Sequence, residues 1–408
     1  FGRDGRAYIF TDNNAPRGSV LVTNPGSWNP NSWETLIPEP QDAVLESVTL
    51  LDGEDLDQDQ LMVVQTSHGV AEMTMHTATN GEKLYEVELP GAGTIGGPVE
   101  HIDGGPITWI VYTDHTTVPT IYEFDARTKE LSLFATPPGA VVAPDVHSEL
   151  ITYPSLDGTT VRMFVISPTG TPDQPRPTIL YGYGGFGIPL QPGYSAAILA
   201  WVESGGVWAI ANLRGGGEEG EEWHRAGMLA NKQNVFDDFH AAAEYLIDKG
   251  WTTSNHLGIY GGSNGGLLVG AAMTQRPELF NAVVCVAPLL DMIRYVESEL
   301  GPTWTVEYGD PADAEQFGWL HAYSPYHRVA QGTDYPATMF AIFDNDTRTD
   351  PMHGRKMAAA VQAATIGSRP ILVRTEGNVG HGARSLNKSI EESADTLTFM
   401  SHWTGLDD

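Results

Sequence analysis

The chain has 408 residues, 41% hydrophobic and 18% charged, a length and composition that imply two globular domains. A formal net charge of −30, from 52 acidic against 22 basic side chains, argues against nucleic acid or a membrane surface as partner. No apolar run is long enough for a membrane span, and the single cysteine, Cys285, excludes an intrachain disulfide and reads as a small core residue of a cytoplasmic protein. The sequence opens on Phe1 without an initiator methionine, so the expectation is that the true N-terminus lies upstream.

Residues 1–145 read as β only. Runs rich in β-branched and aromatic residues fall at 7–11, 19–23, 45–51, 60–66, 71–78, 83–89, 108–113, 120–124 and 130–135, separated by Gly, Pro, Asn and Asp clusters. A faint repeat links Tyr8-Ile-Phe-Thr-Asp-Asn, Met62-Val-Val-Gln-Thr-Ser-His and Trp109-Ile-Val-Tyr-Thr-Asp-His, at a spacing near the roughly 40–50 residues of a propeller blade. The span holds about three blades, too few to close a propeller, so strand edges would stand open. The acidic run 52–59 reads as a solvated loop between strands.

From residue 146 to 408 strand-like runs (161–167, 178–181, 207–212, 257–260, 282–287, 339–343, 371–375) alternate with helix-like ones (235–249, 266–274, 355–364, 389–404). Such alternation predicts a mostly parallel sheet covered by helices, with its site in loops at the carboxyl ends of strands. Ser263 stands at such a point, in Gly261-Gly262-Ser263-Asn264-Gly265, a G-x-S-x-G turn between a strand and a helix. The flanking glycines remove Cβ atoms that would block so sharp a turn. A serine nucleophile needs a base within reach, and the base needs an orienting carboxylate. In α/β-hydrolases the chain order is Ser, then Asp or Glu, then His. Asp346 follows the run 339–343, and His381 lies in the glycine-rich loop 377–382 after the run 371–375. Asp344-x-Asp346 does not continue as a calcium loop, since Arg348 takes the third ligand position. With no His-Glu-x-x-His or Cys/His cluster either, neither a metal nor another cofactor is expected.

Several longer stretches resemble the prolyl oligopeptidase family. They are Tyr181-Gly-Tyr183-Gly-Gly-Phe186, Asn212-Leu-Arg-Gly-Gly-Gly-Glu218 with Trp223-His224, Asn231-Lys-Gln-Asn-Val-Phe-Asp-Asp238, Gly261-Gly-Ser263-Asn-Gly-Gly-Leu-Leu268, Gln275-Arg-Pro277, Asp346-x-Arg348 and Gly380-His381-Gly382. The resemblance implies an α/β-hydrolase catalytic domain preceded by a partial β-propeller, about three blades of seven. It implies Ser263 as nucleophile, His381 as general base then acid, and Asp346 as orienter. The oxyanion would be held by the Tyr183 hydroxyl and the Asn264 backbone N–H, and Arg348 would bind a substrate carbonyl. Trp304 and Tyr308 match the family's pocket aromatics, with Phe186 and Leu289 beside them.

The reaction implied is hydrolysis of short proline-containing peptides after proline, through an acyl-enzyme. The alternatives are a related oligopeptidase or esterase with another preference, or a silent binding fragment. Thr349 and Asp350 after Arg348, and Glu297 and Glu299 before Trp304, depart from the prolyl pattern and bring strict proline preference into question. The family's N-terminal segment and first blades are absent from the sequence, so the expected partner is an N-terminal fragment of the same protein that completes the propeller.

Overall fold

The computed structural model describes residues 1–139, 143–298, 300–382 and 384–406; Glu299 lies outside them. It divides into two compact units. The first comprises 1–144 with the short segments 191–195 and 217–222, and the second comprises the rest. Hydrogen bonds explain why the short segments join the first unit. Gln191 donates to Thr66 Oγ1 at 3.0 Å, Thr94 Oγ1 donates to the Pro192 carbonyl at 2.7 Å, and Arg17 Nε donates to the Glu219 carbonyl at 3.4 Å.

The first unit holds three antiparallel sheets. β1 (Ala7–Thr11), β2 (Ser19–Thr23) and β3 (Glu34–Ile37) form the first; β4 (Val44–Leu51), β5 (Gln60–Ser67), β6 (Val70–Thr77) and β7 (Lys83–Val87) form the second. The third is built from β8 (Thr94–Glu100), β9 (Ile107–Thr113), β10 (Thr120–Asp125) and β11 (Glu130–Ala135). Alternation along β5 shows how the sheets stack. Leu61 and Val63 join a core with Val20, Leu36 and Leu45, while Met62 and Val64 face the other way into a core with Ile110 and Phe124. The sequence repeat falls on β1, β5 and β9. β5 and β9 each pair with a preceding strand, β4 or β8, whereas β1 pairs with β2 alone.

The chain continues through β12 (His147–Pro154), β13 (Thr160–Ser167), β14 (Thr178–Gly182), α1 (Ala196–Glu203), β15 (Val207–Asn212), α2 (Glu221–Arg225) and α3 (Gln233–Asp248). β16 (Leu257–Gly262), α4 (Asn264–Gln275), β17 (Ala282–Val286), α5 (Thr305–Tyr308) and α6 (Ala314–Tyr323) follow. β18 (Ala337–Phe343), α7 (Met352–Ala364), β19 (Ile371–Glu376) and α8 (Leu386–Thr404) complete it. The strands make one eight-stranded sheet in the order β12-β13-β15-β14-β16-β17-β18-β19. Pairing is antiparallel at β12–β13 and β13–β15 and parallel from β15 to β19.

Every residue of β15, β17 and β18 is buried, as expected for parallel strands covered on both faces. α3 buries Val235, Phe236, Phe239, Ala242, Ala243 and Leu246, a stripe of helical period, and packs beside α4. Among the described residues no helix is long and apolar enough to cross a membrane.

Seven elements were not foreseen, among them the short helices α2 and α5, of five and four residues. β3 is short and follows a Pro-Asn-Ser turn; β8 carries Gly96, Gly97 and Pro98, which read as a turn but sit at a register shift in an outer strand. β12 is an edge strand exposed along most of its length, and α1 and α6 lie in runs without a clear amphipathic period. α4 starts at Asn264, ahead of the expected run 266–274, whose first turn the low helix propensity of Gly265 and Gly266 concealed.

Candidate active site

Three loops at the carboxyl ends of β16, β18 and β19 meet in the second unit. β16 runs straight into α4, and the one residue between them, Ser263, has φ 57° and ψ −118°, a conformation L-residues rarely adopt. The strain is held by neighbours. The Ser263 N–H donates to the Val286 carbonyl at 2.9 Å, and the Gly266 N–H donates to the Ser263 carbonyl at 2.9 Å. A Cβ on Gly266 would stand 2.7 Å from the Pro288 Cβ, so only glycine lets α4 begin this close to β17.

Ser263 Oγ lies 3.1 Å from His381 Nε2, and His381 Nδ1 lies 2.7 Å from Asp346 Oδ2. The Asp346 side chain is 1% exposed and that of His381 19%. The Arg348 and Thr349 N–H groups both donate to Asp346 Oδ1 at 2.9 Å. Burial pushes the Asp346 pKa up, but hydrogen bonds from His381 and Thr349 together outweigh it and hold the carboxyl below its usual value. An ionised Asp346 can only accept, which puts the proton on His381 Nδ1 and leaves Nε2 free to accept from Ser263. The loops also tie to each other: the Asn345 N–H donates to the Val379 carbonyl at 3.2 Å.

The Tyr183 phenol lies within electrostatic reach of Ser263 and Arg348. Burial raises the phenol's pKa against the opposing effects of Ser263 and the Arg348 charge, so it stays protonated and able to donate. Asn264 opens α4, where backbone N–H groups lack helical partners. Its side chain, 2% exposed, has a role the sequence did not suggest. Asn264 Nδ2 donates to the Tyr183 carbonyl at 2.5 Å, and its Oδ1 accepts from the Tyr308 hydroxyl at 2.8 Å.

Trp304 and Phe186 are partly buried against the core, and Phe186 sits at φ 60°. Tyr308 and Leu289 are fully buried; Tyr308 meets Phe186 edge-on at 5.5 Å between ring centroids. Arg348 and Asp350 are exposed, and Asp344 pairs with Arg355 at 3.0 Å. Glu297 is exposed.

Sequence reasoning did not find what holds the 183–186 loop. Glu307, 2% exposed, accepts from the Phe186 N–H at 3.1 Å and pairs with Lys232 at 3.3 Å and His224 at 2.8 Å. Lys232, 1% exposed, also donates to the Gly184 carbonyl at 2.9 Å. Beside them Arg214 Nη2 donates to Asp238 Oδ1 at 2.6 Å, and the Gly187 N–H donates to the Gly215 carbonyl at 3.0 Å. The motif around Asn231 therefore carries a charged group that braces this loop, and the motif around Asn212 supplies the backbone carbonyl of Gly215 to Gly187. A buried lysine is not legible from sequence until its carboxylate partner is located in space.

A Ser–His–Asp array at the carboxyl ends of parallel strands, on a strand–turn–helix serine, is the arrangement of the α/β-hydrolases. More narrowly, the chain belongs to the prolyl oligopeptidase family: the model described as "Prolyl oligopeptidase family" matches residues 192–407, and that described as "Prolyl oligopeptidase, N-terminal beta-propeller domain" matches residues 3–137. It is 37% identical over 406 residues to the prolyl endopeptidase of Elizabethkingia miricola, covering 98% of this chain and 56% of that protein. It is 34% identical to the prolyl oligopeptidase ophP of Omphalotus olearius, covering 99% of this chain and 55% of that one. A solved prolyl endopeptidase structure superposes with a TM-score of 0.93 at 42% identity, over 99% of this chain and 59% of that chain. The chain thus spans a little over half the length of the relatives it matches.

Proposed function

We propose that this chain is the catalytic portion of a serine oligopeptidase that cleaves short peptides on the carboxyl side of proline. The observation that carries the reading is the unbroken relay from Ser263 Oγ through His381 to a buried, ionised Asp346. His381 Nε2 takes the serine proton as Oγ attacks the carbonyl carbon of the proline residue. Asp346 keeps the imidazole in the required tautomer and stabilises the imidazolium that forms. The Tyr183 hydroxyl and the Asn264 N–H face the developing oxyanion, where a short hydrogen bond has most effect. His381 then gives its proton to the departing amine. Water, activated by the same imidazole, releases the acyl group from Ser263.

Arg348 holds a substrate carbonyl. Trp304 and Phe186, the partly exposed aromatics, flank the proline ring, with Tyr308 and Leu289 as the packed layer behind them. Neither another peptidase or esterase preference nor a silent binding fragment is favoured, since the relatives are named for prolyl cleavage and the relay is intact. The test is a panel of short peptides differing only at the cleaved position. Proline should exceed alanine and lysine in kcat/KM, and a preference for lysine would overturn the proline assignment.

The same reading divides the chain into propeller blades over residues 1–145 and a peptidase domain over 146–408. It includes a companion polypeptide, the N-terminal portion of the same protein, that closes the propeller. Support comes from the third sheet, whose outer face carries Val99, Val111, Ile121 and Phe134, exposed by 62%, 37%, 36% and 58%. β1, with one pairing partner where β5 and β9 have two, offers a second place for the companion to dock. A separately produced N-terminal portion should form a one-to-one complex with this chain on size exclusion. Two species that elute apart at micromolar concentration would contradict this part of the proposal.

A further inference from the structure

Thr349 was one of the departures read as bearing on proline preference. Its hydroxyl instead lies within the relay. The residue is 2% exposed, and Oγ1 stands 2.9 Å from the Ala287 carbonyl, 2.9 Å from Asp346 Oδ2 and 3.1 Å from His381 Nδ1. It touches the loops after β17, β18 and β19 at one point. Ala287 holds φ 41°, so its carbonyl is presented from a backbone conformation that the surroundings must maintain.

A hydroxyl has one proton and two lone pairs. The Ala287 carbonyl and the ionised Asp346 can only accept, so the proton goes to one or the other. His381 Nδ1 carries a hydrogen, so toward it the hydroxyl oxygen can only accept. We infer that Thr349 is a positioning residue of the relay, whose O–H turns between Asp346 and Ala287 as the charge on His381 changes. With the imidazole neutral, Thr349 donates to Asp346 Oδ2 and shares the carboxylate with His381. When the imidazole takes the serine proton, the Thr349 O–H turns to the Ala287 carbonyl. That turn exposes the full Oδ2 charge to the imidazolium and adds the Thr349 lone pair as a second acceptor for Nδ1–H. Only one hydrogen rotates, and no heavy atom moves.

The inference rests on the peptidase reading, and its test separates the two. Thr349→Val keeps the shape and removes the hydroxyl, whereas Thr349→Ser keeps the hydroxyl. In the valine variant kcat on a proline reporter should fall about three- to tenfold, the worth of one hydrogen bond, with KM unchanged. The downfield Nδ1–H resonance of His381 should shift in the valine variant, and serine should restore both readouts. An unchanged kcat with an unshifted resonance overturns the inference. So does a fall in kcat with the resonance unmoved, which would be a packing effect, or a serine variant that behaves like valine. If the wild-type protein does not turn over the reporter, the peptidase reading fails. The resonance still reports whether Thr349 acts on His381.

Discussion

One ion pair taken from each compact unit shows how burial changes what a charge does. On β7, Lys83 Nζ stands 2.6 Å from Glu86 Oε1, and the side chains are 50% and 73% exposed. In the second unit Lys232 Nζ is 3.3 Å from Glu307 Oε1, with side chains 1% and 3% exposed. The shorter pair matters less to the fold. Water screens it, and holding two long side chains together offsets most of the attraction. The longer pair lies in a medium of low dielectric, where losing one partner strands a buried charge. Burial decides what a charge pair contributes, and the buried Lys232–Glu307 pair contacts the 183–186 loop at Gly184 and Phe186. The Lys83–Glu86 pair adds charge at the surface, whereas the Lys232–Glu307 pair braces the loop that carries Tyr183 and Phe186.

The largest expected effect lies in the relay and separates activity from stability. Ser263→Ala and His381→Ala should each lower kcat by roughly four to six orders of magnitude, because the members act as a unit. Asp346→Asn should lower it by about four orders through the wrong imidazole tautomer. Circular dichroism and the thermal midpoint of Ser263→Ala should match the wild type. Near-normal turnover in His381→Ala would remove the histidine from the mechanism.

The comparison of ion pairs is sharpened by cutting one in each unit. Lys232→Met should cost about 3–5 kcal/mol in denaturant unfolding, since it leaves Glu307 buried with less compensation. Lys83→Ala should leave the unfolding midpoint where it was. Equal losses in the two variants would break the distinction between buried and exposed pairs. A smaller effect is expected at the pocket. Trp304→Ala should lose about 1–3 kcal/mol of transition-state binding for proline substrates, the scale of one apolar contact, and less for alanine substrates. Equal losses for both would make Trp304 a packing residue.

The two regions also differed in how far the sequence disclosed them. In the second unit the run 207–212 coincides with β15, since a fully buried parallel strand is a continuous apolar stretch between turns. The chain order of Ser263, Asp346 and His381 pointed to their meeting because each follows a parallel strand of the sheet, although β19, ahead of His381, is buried only at Ile371. In the first unit β8 was hidden by Gly96, Gly97 and Pro98, since a strand at a sheet's edge tolerates residues that usually mark turns. At the site, groups named for one role turned out to have another as well. Asn264 was read for its backbone N–H, while its side chain links Tyr183 to Tyr308. Thr349 was read as a departure bearing on proline preference, while its hydroxyl contacts Asp346 and His381. Glu307 lies between the two aromatics that drew notice, yet nothing in its sequence neighbours signals that it pairs with Lys232. Local sequence reports period and turn chemistry. The partner of a buried polar group is set by contacts between distant segments.

The central claim is that Ser263, activated by His381, is the nucleophile of a proline-directed peptidase. Treating the protein with a phosphonate that carries a proline-like ring, then mapping the adduct by peptide mass spectrometry, tests it most directly. The account predicts a single adduct on Ser263, formed more slowly with an alanine-like probe and absent in His381→Ala. An adduct on another residue, or equal labelling of Ser263 in His381→Ala, would contradict it.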